Sequence, residues 1–166
     1  MIKPIFFLLA LCFLSSAAMA RPERVSRVKD GDTFELVRHR VFGNPTAIRV
    51  IGVDTPEHDW RAKCTLEKQH GIDALKFATD MLAASKNTVW LGKRKTPDKY
   101  GGRYNAKVTL LIGGQRVDWA AALIANGYGL PYTGEGKKPN WCGILAARAQ
   151  EAQALPIDNL LDQIRP

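Results

Sequence analysis

Short apolar runs broken by turn residues fill the first part of this chain, and only then does the hydrophobic period lengthen to that of a helix. In "RVSRVKDGDTFELV", Val25 and Val28 are apolar, Asp30-Gly31-Asp32 interrupts, and Phe34, Leu36 and Val37 resume. A D-G step between two such runs is a hairpin signal. "RHRVFGNP", residues 38–45, reads as a loop, and "TAIRVIGV" as a third strand. Over residues 66–84, Ile72, Leu75, Thr79 and Leu82 share one face at helical spacing, and Ala74, Ala78, Ala83 and Ala84 favour helix. "NTVWLGKR" and "YNAKVTLLI" return to strand, and Gly113-Gly114 turns the chain out of the second. "QRVDWAAALIANG" then predicts a helix, with Val117, Ala121 and Ile124 on its stripe and Gly127 just past its end. "YGLPYTGEGKKPN" reads as a loop, and Asn140 as the N-cap of a last helix over 141–154, stopped by Pro156. The order β-β-β-α-β-β-α-α points to an α+β fold: a small antiparallel barrel or sheet with helices beside it.

The first twenty residues, "MIKPIFFLLALCFLSSAAMA", stand apart. Lys3, an apolar stretch over residues 5–14 and the small residues leading to Ala18-Met19-Ala20 predict a signal peptide cleaved after Ala20. The apolar run is short for a membrane anchor. Export follows, to a periplasm or out of the cell, with no membrane attachment once the leader is gone. Cleavage leaves 146 of the 166 residues, 21–166, which suits one domain with its own core. It leaves 23 basic side chains against 16 acidic ones, a net of +7. The densest basic run is Lys93, Arg94, Lys95, Lys99 and Arg103. Such a balance favours polyanions, either nucleic acid or an anionic membrane surface, and a merely solvated basic protein would share it.

Cys12 leaves with the leader, so Cys64 and Cys142 remain. An even pair in an exported chain reads as a disulfide. It would constrain the unfolded chain by roughly 4 kcal/mol. Two buried thiols are the alternative. Neither cysteine has a His or Cys neighbour at zinc-ligand spacing.

The chemistry is concentrated in "VIGVDTPEHDW", where Asp54 and Glu57 end an apolar strand. Asp32 leaves the first hairpin turn and would meet them if the second and third strands pair. Carboxylates brought together repel, so such a site needs a cation. All-oxygen donors suit a hard ion, Ca²⁺ or Mg²⁺. Turn chemistry alone also accounts for Asp30-Gly31-Asp32. Arg49 lies between Ile48 and Val50. By alternation it points to solvent, or else toward the acids, where its guanidinium could grip a phosphate bidentately. Arg103 follows Tyr100-Gly101-Gly102, whose flexible backbone would let it approach the same point; it reads equally as one more surface charge.

"VKDGDTFEL", "IRVIGVDTPE" and "DKYGGRYNAKV", in that order and with a helical segment between the last two, resemble the staphylococcal nuclease (thermonuclease) family. The resemblance covers nearly all of residues 25–154 and thins after Gly127. It implies a five-stranded OB-fold barrel with three helices. It also implies a Ca²⁺-dependent phosphodiesterase acting on DNA and RNA, which leaves 3′-phosphate ends. Carried over, it makes Asp32 and Asp54 carboxylate ligands of Ca²⁺, with the Thr55 main-chain carbonyl as a third. Arg49 and Arg103 would bind the scissile phosphate, and Glu57 would orient or deprotonate the attacking water. Lys99, Tyr100 and Tyr132 would contact the nucleotide. The departures are the extra glycine before Arg103, the two cysteines, and the loop carrying Tyr128, Tyr132, Lys137 and Lys138. Those lysines read as solvated charges or as contacts to a longer nucleic acid. Trp90, Trp119 and Trp141 read as packing residues. The alternative function is a nuclease-like barrel that binds nucleic acid without cutting it. A basic protein that binds anionic envelope polymers would share the charge, but gives no reason for Arg49 or the paired acids. Nothing in the pattern asks for a protein partner, and a monomer is expected.

Overall fold

The computed structural model describes residues 21–37, 46–92, 96–97 and 103–154. The leader, the 38–45 loop, Lys93, Arg94, Lys95, Lys99, Tyr100, the glycine pair before Arg103, and residues 155–166 lie outside the described residues.

Among the described residues are ten strand segments and three helices. The first hairpin, β1 (Glu23–Asp30) and β2 (Thr33–Leu36), turns at Gly31-Asp32. β3 (Ala47–Val50) pairs antiparallel with β2, and β4 (Gly52–Asp54) continues β3 after Ile51 alone. Helix α1 (Thr65–Ala84) follows, then β5 (Thr88–Leu91) against β1 and the short β6 (Thr96–Pro97). β7 (Arg103–Ala106) and β8 (Val108–Ile112) are separated only by Lys107, yet β7 pairs with β3 and β8 with β5. These partners stand on opposite sides of the ladder β7-β3-β2-β1-β5-β8. One strand therefore serves both margins, and the sheet curls back on itself in the manner of an OB-like barrel. With β3/β4 and β7/β8 counted as single bent strands, β1, β2, β3/β4, β5 and β7/β8 are the five expected from the sequence, and the short β6, β9 and β10 are additions to them.

Alternation sets the inside. Phe34, Leu36, Ile48 and Val50 are fully buried, while the intervening Glu35 and Arg49 are only partly so. Each such aliphatic or aromatic side chain removed from water contributes about 1.5 to 3 kcal/mol. Trp119 closes the core, stacked on Phe34 with ring centroids 5.0 Å apart, and its indole N–H donates to the Gly31 carbonyl at 2.9 Å. Trp90 is half-buried.

Three expectations need correction. The buried face of α1 is Gly71, Ala74, Ala78, Met81 and Leu82, whereas Ile72 and Thr79 are exposed. Small residues let the helix backbone approach the barrel. At Gly71 a β-carbon would sit 2.5 Å from the Glu57 carbonyl oxygen, so only glycine fits. Second, the first four residues of "QRVDWAAALIANG" are a strand, β9 (Gln115–Asp118), hairpinned to β8. Gly113 and Gly114 both have positive φ (58° and 82°), which a two-residue hairpin turn demands. The helix is only α2 (Trp119–Ala125), and Asp118 caps it by accepting from the Ala121 N–H at 2.9 Å. Its buried residues are Trp119, Ala120 and Leu123, not the stripe at Val117, Ala121 and Ile124. Gly127 follows with φ 78°, as expected. Third, the expected loop after it contains β10 (Leu130–Tyr132), paired with β4.

Helix α3 (Trp141–Ala154) has the expected bounds, and the Asn140 side chain accepts from Gly143 N–H at 3.4 Å. Cys64 and Cys142 form a disulfide, Cα–Cα 6.1 Å, which ties the N-cap of α1 to the first turn of α3. Glu67 lies close to both sulfurs, but both are used by the bridge, so this cluster is not a metal site. Among the described residues no helix is long and apolar enough to cross a membrane.

Candidate active site

The β2–β3 register opposes Thr33 to Arg49, and the Val50 N–H donates to the Asp32 carbonyl at 2.8 Å. Asp32 is thereby fixed beside the strand carrying Arg49. Arg49 points away from the core residues Ile48 and Val50, and the face it joins is the acid cluster. Alternation and the turn toward the acids are thus one and the same orientation.

Arg49 Nη2 lies 2.9 Å from Asp32 Oδ2 and 3.0 Å from Asp54 Oδ1, and its Nη1 donates to Asp32 Oδ1 at 3.0 Å. One cationic nitrogen therefore already sits between the two carboxylates. Asp32 is 2% exposed and also accepts from the Thr33 hydroxyl at 3.0 Å and the Thr55 N–H at 3.2 Å. Burial, and next the charge of Asp30, push the Asp32 carboxyl well above its usual range, while Arg49 opposes them. For Arg49, burial is outweighed by Asp32 and Asp54, which hold its guanidinium above the ordinary arginine range.

Glu57 completes the ring from the segment after β4. The Arg61 Nη2 lies 3.1 Å from Glu57 Oε2 and 3.9 Å from Asp30 Oδ2. β10 delivers the following loop to the same place, because Leu130 pairs with Asp54. Lys138 Nζ lies 3.0 Å from Asp54 Oδ1 and 3.3 Å from Glu57 Oε1. Burial pushes the Lys138 ammonium down, but Asp54 and then Glu57 outweigh it and raise it above its ordinary value.

Asp30, Asp32, Arg49, Glu57, Arg61 and Lys138, with Thr55 and Arg103, line a polar cavity of about 60 Å³, and Asp54 stands behind it, paired with Arg49 and Lys138. Arg49, Arg103 and Lys138 also line an adjoining groove of about 780 Å³, together with Asn105, Tyr132 and the 133–136 loop. Arg103 and Asn105 are two apart on β7, hence on one face, and Asn105 opposes Arg49 in the parallel β3–β7 pair. The structure thus brings together Asp32, Arg49, Asp54, Thr55, Glu57 and Arg103, with Tyr132 in the groove. Tyr128 instead packs against Phe77 and His70, at centroid distances of 4.7 and 5.7 Å. Lys99 and Tyr100 lie outside the described residues.

Residues 47–155 match the staphylococcal nuclease homologue family. The chain belongs to that family. A search of curated proteins finds no match. The matched span holds Arg49, Asp54, Glu57 and Arg103. The hairpin with Asp32 precedes it and joins the site through geometry. Members of this family are generally nucleases, so nucleic acid is the substrate class its domain implies.

The sequence reads Asp30 as turn chemistry, Lys138 as a solvated charge or a nucleic-acid contact and Trp141 as packing, and it does not single out Arg61; the structure sets all four at the acid cluster. Trp141 is buried and donates its indole N–H to Asp54 Oδ2 at 3.1 Å. The signal that could have found Lys138 and Trp141 is the disulfide. Pairing Cys64 with Cys142 draws the segment before Cys142 toward the one holding Asp54 and Glu57.

Proposed function

We propose that this protein is an exported, Ca²⁺-dependent endonuclease that hydrolyses DNA and RNA with little sequence preference. The observation that carries this reading is the pair of buried carboxylates, Asp32 and Asp54, sharing one cationic centre at the edge of a groove that holds two arginines. The donor chemistry fits a hard cation: carboxylate oxygens and the main chain at Thr55, with no sulfur or imidazole among the described side chains that line the cavity. The raised Asp32 carboxyl says that the present cations do not fully offset its burial, which a divalent ion would do. Asp32, Asp54 and the Thr55 carbonyl would hold Ca²⁺, which supplies Lewis-acid stabilisation of a phosphoryl oxygen when bound.

The chain's own groups do the rest. A phosphodiester is anionic, and attack by water must overcome that charge. Arg49 and Arg103 meet the cavity and the groove alike, so a phosphate seated there has a guanidinium on each side. Glu57 holds the water and takes its proton, and its neighbours Arg61 and Lys138 fix the carboxylate. Tyr132 and Asn105 line the groove beyond the phosphate, where the nucleoside would lie.

The test is an incubation of the chain from Arg21 with single-stranded DNA and with RNA, first with Ca²⁺ and then with a chelator. Cleavage that the chelator abolishes supports the enzyme. DNA that is retarded in a gel but intact with Ca²⁺ supports the binding barrel instead.

A further inference from the structure

Asp54 is gripped from two directions. Its Oδ1 faces the cavity cations, with Arg49 Nη2 and Lys138 Nζ each 3.0 Å away. Its Oδ2 faces inward and accepts from Trp141 Nε1 at 3.1 Å. Both residues are almost fully buried, 1% and 3% exposed, so no bulk water competes for that oxygen. The indole cannot choose this position by itself, since Trp141 is the first residue of α3 and moves with it. From Ala147 onward the described side chains of α3 are exposed, so the helix is anchored at its beginning. The anchor there is covalent. Cys142, the next residue, is bridged to Cys64 at the N-cap of α1, and His70 of α1 lies 6.1 Å from the Trp141 ring.

We infer that Trp141 is a positioning residue, whose indole N–H holds Asp54 Oδ2 and so presents Oδ1 to the cations that line the cavity, and that the Cys64–Cys142 bridge fixes the helix that carries it. The inference rests on the reading of Asp54 as a cation ligand. Carboxylate torsions are broad, so a carboxylate with one free oxygen samples orientations that a doubly held one does not. A hydrogen bond to a charged acceptor is among the stronger kinds, and removing the donor leaves a buried oxygen unsatisfied. The disulfide then does more than restrict the unfolded chain. It carries the barrel's geometry to a group in contact with the candidate ion site.

Trp141→Phe keeps the apolar ring and removes the donor. It is compared with the wild-type chain by Ca²⁺ titration calorimetry, by steady-state cleavage of single-stranded DNA and by thermal melting in chelator. Ca²⁺ affinity falls several-fold and kcat about tenfold, as loss of one charge-assisted hydrogen bond implies, with KM for DNA unchanged. Trp141→His, which keeps a ring N–H, recovers part of both losses. In the Cys64→Ser/Cys142→Ser pair, held below its melting temperature, Ca²⁺ affinity falls in the same direction. Adding Trp141→Phe to that pair costs less than it does in wild type, because both act through one contact. Should the serine pair fail to fold, the Trp141→Phe and Trp141→His comparison decides. Unchanged Ca²⁺ affinity and kcat in a folded Trp141→Phe protein overturn the inference while the wild type remains an active, Ca²⁺-binding enzyme. A wild-type chain that neither binds Ca²⁺ nor cuts DNA is a different failure, that of Asp54 as a ligand, and removes this inference with it.

Discussion

Arg49 Nη2 lies 3.0 Å from Asp54 Oδ1, although the two residues belong to strand segments on either side of Ile51. The same nitrogen is 2.9 Å from Asp32 Oδ2, so this arginine reports directly on the site's charge. A lysine has one nitrogen in place of the planar fork, so it cannot hold both acids from one side and offer a bidentate face to a phosphate from the other. Arg49→Lys is therefore expected to lower kcat by on the order of 10² to 10³, measured by DNA cleavage at saturating Ca²⁺. Arg49→Ala also strips buried carboxylates of their partner and lowers stability by about 3 kcal/mol or more, read from urea melts in chelator. Full turnover in Arg49→Lys would remove the guanidinium from the chemistry.

Glu57 pairs with both Arg61 and Lys138 and is less buried than Asp32 or Asp54. Glu57→Gln keeps its shape but no longer accepts a proton. The fold and Ca²⁺ affinity are expected to persist while kcat drops by roughly 10²-fold or more. An undiminished kcat would mean that another group handles the water.

The raised Asp32 carboxyl gives a signed pH dependence in the absence of Ca²⁺. Between the ordinary carboxylate range, near pH ~4, and the higher native value, the folded protein holds a proton that the unfolded chain has lost. Stability in chelator thus falls as pH rises through that interval, and added Ca²⁺ restores it. Asp32→Asn lacks this loss. At neutral pH in chelator it should unfold at a urea concentration no lower than wild type, with activity abolished. A variant much less stable than wild type under those conditions would contradict the assignment of burial as the dominant cause.

Lys138 lines the cavity and holds Asp54 Oδ1 and Glu57 Oε1. A cation entering the cavity competes with it. Lys138→Gln removes the competitor and is expected to tighten Ca²⁺ binding severalfold without substrate, by calorimetry. Weaker binding would show that the lysine supports the ion site rather than competing for it.

The legible part of this molecule was local or doubly signalled. Asp32, Asp54 and Arg49 could be placed because a D-G hairpin and one strand register bring them together, and the motifs agreed. The buried face of α1 is not legible from side-chain volume, because alanines and Gly71 do the packing and volume ranks them below Ile72. The β9 segment is hidden in the sequence because Gly113-Gly114 reads as an exit from the strand, while a two-residue glycine turn also makes a hairpin. Asp30, Arg61 and Lys138 carried no periodic signal. Their place depends on a turn, an irregular segment and a loop delivered by β10, and only tertiary structure relates those three.

The most direct test of the account is a crystal structure of the protein with Ca²⁺ and a nucleotide bearing a 5′-phosphate. It predicts the ion about 2.3 to 2.6 Å from an oxygen of Asp32, from Asp54 Oδ1 and from the Thr55 carbonyl, with Arg49 and Arg103 both on the phosphate. An ion bound elsewhere, with Arg49 still bridging Asp32 and Asp54 and the phosphate outside the groove, would contradict it.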